Sequence, residues 1–185
     1  MTGASSVRSR LQAAAARGLT TFVGRDTEMD TLFTALDQAK VWKGQLRRGG
    51  RRARVGKSRL FWEFAHSHRS QGCLVAETTS VSYGKATTYL PVIHLLKGYF
   101  QIEPHDTART IREKITGKLF SLDRTLERCL APLLWLLDVP AEDAEWERLE
   151  APLRRQRLLE SLRQLILRES QVQPLVLVFE GPALD

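Results

Sequence analysis

The stretch RRGGRRARVGKSRL, Arg47 to Leu60, holds the residues whose types and spacing best suit chemistry. Gly56, Lys57 and Ser58 are the closing residues of the pattern G-x-x-x-x-G-K-[ST]. There, backbone N–H groups wrap a phosphate chain, the lysine reaches the β- and γ-phosphates, and the hydroxyl meets Mg2+. The first glycine of that pattern falls on Arg51, and the nearest glycine, Gly50, stands one position early. A second requirement is an acid at the carboxyl end of a buried strand, beside a phosphate-bound Mg2+. Glu180 meets it, closing the apolar run LVLVFE, Leu175 to Glu180. The competing reading of Gly56-Lys57-Ser58 is a basic loop before an ordinary helix.

These residues need a helix after the loop and strands beside it. From Lys57 to Ser70, Leu60, Phe61, Phe64 and Ala65 form a helical stripe, so a helix starts at the G-K-S, as phosphate binding at a helix N-terminus requires. Upstream, Met29, Leu32, Phe33 and Leu36 recur at i, i+3, i+4, i+7 behind Asp26, which reads as a helix cap. CLVAETTSV, Cys73 to Val81, reads as a strand. LPVIHLLKGYF, TARTIREKITGKLFSL and RTLERCLAPLLWLLDV read as helices broken by Pro104, Pro132 and Pro140. A long helix follows from Pro152 to Glu169, carrying Leu153, Leu158, Leu162, Leu165 and Ile166. The Ala-rich segment from Ser6 to Gly18 reads as a linker.

At 185 residues and 43% hydrophobic, the chain suffices for one α/β domain. No apolar run approaches the ~18 residues of a membrane span and no signal peptide is visible, so the expectation is a soluble, cytoplasmic protein without a membrane partner. Cys73 and Cys129 lack C-x-x-C spacing and are expected as free thiols. The net charge of +7 invites a nucleic-acid reading, but five of the seven excess charges are Arg47, Arg48, Arg51, Arg52 and Arg54. One cluster without interleaved aromatics argues against that class.

Other residues take the plainer reading. Lys85 is expected in an exposed loop, and His66, His68, His94 and His105 show no ligand spacing. Trp135, among Leu133, Leu134, Leu136 and Leu137, is expected in the core. Arg154, Arg155 and Arg157 are expected on a solvated helix face.

FVGRDTEMDTL, VGKSRLFWEF, SVSYGKATTYLPVIHLLKGYFQIE, TIREKITGKL and RESQVQPLVLVFE together resemble the ATPase domain of multidomain proteins that carry class III adenylate or guanylate cyclase domains. That domain is similar to the Orc1-like AAA and STAND groups of P-loop NTPases, and the resemblance covers residues 8–180. It implies an α/β fold: a partial P-loop, AAA-like parallel sheet with flanking helices and a helical insertion, incomplete at its end. Residues 1–19 would be a linker and 20–185 the N-terminal part of the ATPase domain, truncated after the Walker B strand. It further implies ATP and Mg2+ as cofactors. Gly24 and Arg25 would lie near the adenine end; Gly56, Lys57, Ser58 and Arg59 would complete the cofactor-binding set. Ser58 would bind Mg2+, and Glu180 would be the first Walker B acid, with catalytic and metal roles. In full-length relatives the partners are a cyclase domain and TPR-like repeats.

Two departures stand out. Where the family has V-V-A-V-V-G-E-A-G-V-G-K-S this chain has L-R-R-G-G-R-R-A-R-V-G-K-S, and where the family continues E-D-L-H-W-I-D this chain has Glu180 to Asp185, EGPALD. Synonymous codons exist for which a one-base shift turns Arg47–Arg52 into Ala-Val-Val-Gly-Asp-Ala, and Pro182–Asp185 into Leu-His-Trp-Ile. The expectation is therefore a frameshifted, truncated form of such an ATPase. As written, LRRGGRRA cannot be a buried strand, because each unpaired guanidinium would cost several kcal/mol to desolvate. Side chains at Arg51 and Arg54 crowd positions where glycine lets backbone approach phosphate. Weak or absent Mg-ATP binding and no hydrolysis follow. A structural fragment that only binds partners is the remaining alternative.

Overall fold

The computed structural model describes residues 18, 20–41, 56–79 and 89–180. The linker expected before residue 19, the Arg47–Arg54 cluster, Lys85 and the segment after Glu180 lie outside the described residues, apart from Gly18. Among the described residues the fold is mixed α/β, mostly helical, with one small parallel sheet of two strands. Where one domain is the simplest expectation, the chain divides into two compact units. One is drawn from the chain up to Thr88 together with the stretch from Val176, and the other is Tyr89–Leu175.

In the first unit, α1 spans Asp26–Lys40 and α2 spans Lys57–Ala65. The expected stripe is the one that packs: Phe33 and Leu36 of α1 are buried with Phe64 of α2, and Met29, Leu32, Cys73 and Val176 close around them. The Phe33 and Phe64 rings lie 5.2 Å apart at a tilt of 42°, within the range where aromatic pairs attract beyond their buried area. Asp26 is not the cap. Arg25 takes that position, its side chain capping no amide of the helix, and Asp26 and Glu28 occupy the first turn, where their charge favours the helix dipole.

α2 also stops five residues short of Ser70. Ser67 turns the chain, its hydroxyl accepting from the Arg69 amide, and His68–Ser70 form a 3-10 turn. Arg69 then lies 4.1 Å over the Phe33 ring and donates to Asp37, 3.0 Å. β1, Leu74–Thr79, and β2, Leu175–Glu180, pair as neighbours.

In the second unit, α3 is Leu90–Tyr99, α4 Ala108–Leu122, α5 Leu130–Leu136, α6 Ala144–Glu147 and α7 Ala151–Val172. Thr107 caps α4 and Asp143 caps α6, each accepting an amide of the first turn as such residues should. Ile115, Leu119, Cys129, Leu133, Leu134 and Leu158 are fully buried in one core. Pro132 is no breaker. It sits in the first turn of α5, where its missing N–H costs nothing, and the expected helix before it is instead a 3-10 run, Arg124–Cys129. On α7, Leu158, Leu162 and Leu165 are buried, but Leu153 and Ile166 point to solvent.

Trp135 is the clearest reversal. It is 43% exposed while Leu133, Leu134, Leu136 and Leu137 are buried. At about 100° per residue the four leucines crowd one side of α5, and Trp135 falls opposite their mean direction. Cys129 and Cys73 are free, as expected, and burial pushes the Cys129 thiol up, which keeps it protonated. Among the described residues no helix is long and apolar enough to cross a membrane.

An acid titration tests the surface of α7. Arg163 and Gln164 donate to Glu160 at 2.8–2.9 Å, and these bonds hold its carboxyl down from 4.5 to about 2. A value lowered on folding means stability fully present above pH 4.5 and lost as pH falls toward 2. The Glu160 carboxyl carbon is expected to titrate in NMR near pH 2, and Glu160→Gln to remove that part of the acid slope. A midpoint near 4.5 would show that the bonds do not form in solution.

Candidate functional site

At the G-K-S a left-handed glycine leads directly into a helix. Gly56 has φ 72°, a left-handed conformation costly for any residue with a Cβ, and α2 begins at the next residue. A Cβ at Gly56 would meet no atom of the described residues within 4 Å. No side chain caps α2, and its first turn carries no acid. The charged residues of that turn in the sequence are Lys57 and Arg59. By contrast, the first turn of α1 is acidic.

Arg59 does not face that N-terminus alone. Its Nε donates to Glu63 Oε1 at 2.6 Å, one turn on, and its Nη2 donates to the Thr20 carbonyl at 2.8 Å. The guanidinium carbon lies 5.8 Å from the ring centres of both Phe22 and Trp62. The Trp62 ring stacks on His66 at 4.2 Å, and His66 Nδ1 is 2.8 Å from the Trp62 carbonyl, which can only accept. The cofactor-contact role expected of Arg59 thus meets a side chain already bonded elsewhere.

Gly24, with φ 77°, and Arg25 lead into α1, which packs on α2. The structure therefore brings Gly24, Arg25, Gly56, Ser58 and Arg59 into one unit around two packed helices. Parallel pairing sets the carboxyl ends of β1 and β2 at one edge of the sheet, and Glu180 closes β2 there. The reach of Lys57 toward phosphate and of Glu180 toward Mg2+ concerns side chains outside the described residues. Among the described residues no three His, Cys, Asp or Glu gather as a metal site. No family model, curated protein or solved structure matches the chain.

In the second unit, sequence reading missed two polar clusters. Glu169 is 1% exposed: it accepts from the Tyr99 hydroxyl and from Gln173 Nε2 at 2.5 Å, with Lys118 Nζ at 3.7 Å. Burial, then the bond to Glu169, push the Tyr99 hydroxyl far above its ordinary value, so it remains a donor. The signal was available, since Glu169 continues the buried series Leu158, Leu162, Leu165 at helical spacing. Arg154 is no solvated arginine either. It donates to the carbonyls of Glu147 and Leu149 at 3.2 and 3.0 Å, and its guanidinium carbon lies 5.8 and 5.7 Å from the ring centres of Trp135 and Trp146, which pack edge to face. Arg157 pairs with Glu145 at 2.8 Å, while Arg155 is exposed as expected.

Proposed function

We propose that this chain carries a P-loop ATPase-type regulatory domain, ATP-binding by descent and related to the ATPase domains of cyclase-associated proteins, with a nucleotide site impaired in binding and hydrolysis. What supports the reading is the start of α2: a left-handed Gly56 and an uncapped first turn at Lys57-Ser58 that carries no acid, where a helix offers its amides to an anion. Gly56 and Ser58 would hold phosphate and Mg2+, and Gly24 and Arg25 would lie toward the base. ATP and Mg2+ are the cofactors, and a cyclase domain and helical repeats are the partners, that such descent implies. The impairment rests on the sequence at Arg51 and Arg54, where side chains replace the glycines that let backbone approach phosphate.

Calorimetric titration with Mg-ATP tests both halves. The chain as written is expected to bind more weakly than about 1 mM, with no further loss in Lys57→Ala. Replacing residues 48–54 by Ala-Val-Val-Gly-Asp-Ala-Gly restores the full pattern and is expected to tighten binding by about 100-fold or more, a gain that Lys57→Ala then abolishes. A tight, Lys57-dependent site in the unaltered chain would refute the impairment. A restored chain still blind to ATP, though folded by circular dichroism, would refute the P-loop reading.

A further inference from the structure

We infer that Arg59 is a positioning residue: it ties the segment Thr20–Arg25 to α2, so that one side chain sets the base end of the site relative to its phosphate end. This rests on the nucleotide reading for its functional meaning, but the tie itself does not. Arg59 is the third residue of α2, two after Lys57, and it spans 39 positions to the Thr20 carbonyl. Its remaining bonds fix its direction. Glu63 holds Nε from the same helix, and the guanidinium carbon lies 5.8 Å from the rings of Phe22, on the tied segment, and Trp62, on the helix. The side chain is only 20% exposed and Glu63 24%, so the pair is partly shielded from salt. A planar guanidinium can meet a carboxylate, a carbonyl and aromatic faces together; an ammonium cannot, so lysine is a poor replacement. Within the segment Val23 is 75% exposed, and the Gly24 backbone is left-handed.

Arg59 therefore has no free charge for phosphate, and a loss of Arg59 strikes the base end. Two measurements separate the tie from its meaning. In the full chain, chymotryptic cleavage after Phe22 is expected to quicken about tenfold in both Arg59→Lys and Arg59→Leu, with the thermal midpoint of unfolding little changed; loss of one charge-assisted hydrogen bond has that size. Unchanged cleavage in both variants would overturn the tie and leave the nucleotide reading standing. In the full chain with residues 48–54 restored, Arg59→Lys is expected to weaken Mg-ATP about tenfold while Mg-tripolyphosphate, which lacks a base, binds as before. Equal losses for both ligands would make Arg59 a phosphate contact and overturn the positioning role. If cleavage quickens as expected but the restored chain binds neither ligand, the nucleotide reading fails and the tie survives.

Discussion

Replacing Leu158 by alanine is expected to cost about 3–5 kcal/mol, measured by urea unfolding of the full chain. Leu158 is wholly buried on α7, within the core that α5 and the 3-10 run Arg124–Cys129 also line. Removing its branched end forfeits the transfer of three carbons out of water and leaves a cavity whose lining loses its dispersion partners. Total stability of a domain is about 5–15 kcal/mol, so the loss would be a large part of the whole. The adjacent Leu159 is the control. It is 47% exposed, and Leu159→Ala is expected to change stability by less than about 1 kcal/mol. If the two variants unfold at the same urea concentration, the inward face of α7 is not the one described.

The second large effect belongs to Glu169. Its carboxylate is the shared acceptor for the Tyr99 hydroxyl and the Gln173 amide, with the Lys118 ammonium beside it. Glu169→Ala leaves those donors without an acceptor and opens a hole, and is expected to cost about 3–5 kcal/mol. Glu169→Gln retains the shape and one acceptor oxygen and should cost about half as much. Tyr99→Phe removes a single donor; combined with Glu169→Ala it should add less than the sum of the separate effects, by about 1–2 kcal/mol. Simple additivity in that cycle would mean the hydroxyl and the carboxylate do not meet.

Much of the fold could be read from the sequence where one signal dominates. LVLVFE is a strand over its whole length because β-branched and apolar residues run without a period-3.6 pattern and Pro174 stops the helix before it. α2 begins at Lys57 because Gly56 can take the left-handed turn. The errors have a common cause, which is that a one-dimensional stripe does not say how wide the buried face is. Trp135 lies within a run of leucines yet faces out, because the other four fill the inward arc of α5. Ile166 shares helical spacing with Leu162 but sits on the rim of a narrow face, and Leu153, five residues before Leu158, falls on the opposite side of α7. Arg154 looked like its neighbours until the preceding turn folded back and offered two carbonyls. At the candidate site, the residue types of Gly24, Arg25, Gly56 and Ser58 were legible. What was not legible was Arg59, whose partner at Thr20 is set by tertiary packing and by no local rule.

The pairing of β1 with β2 also fixes an order of events during synthesis. Roughly 100 residues separate Leu74 from Leu175, and translation at about 5–20 residues per second leaves β1 without its neighbour for about 5–20 s. The helices between them form a unit with its own core, and can condense on the ribosome in that interval. The nascent chain would then carry β1 still unpaired with β2 while the helical unit is already formed. Its vulnerability to chaperone capture or misassembly lies in that window, and it closes only when LVLVFE emerges.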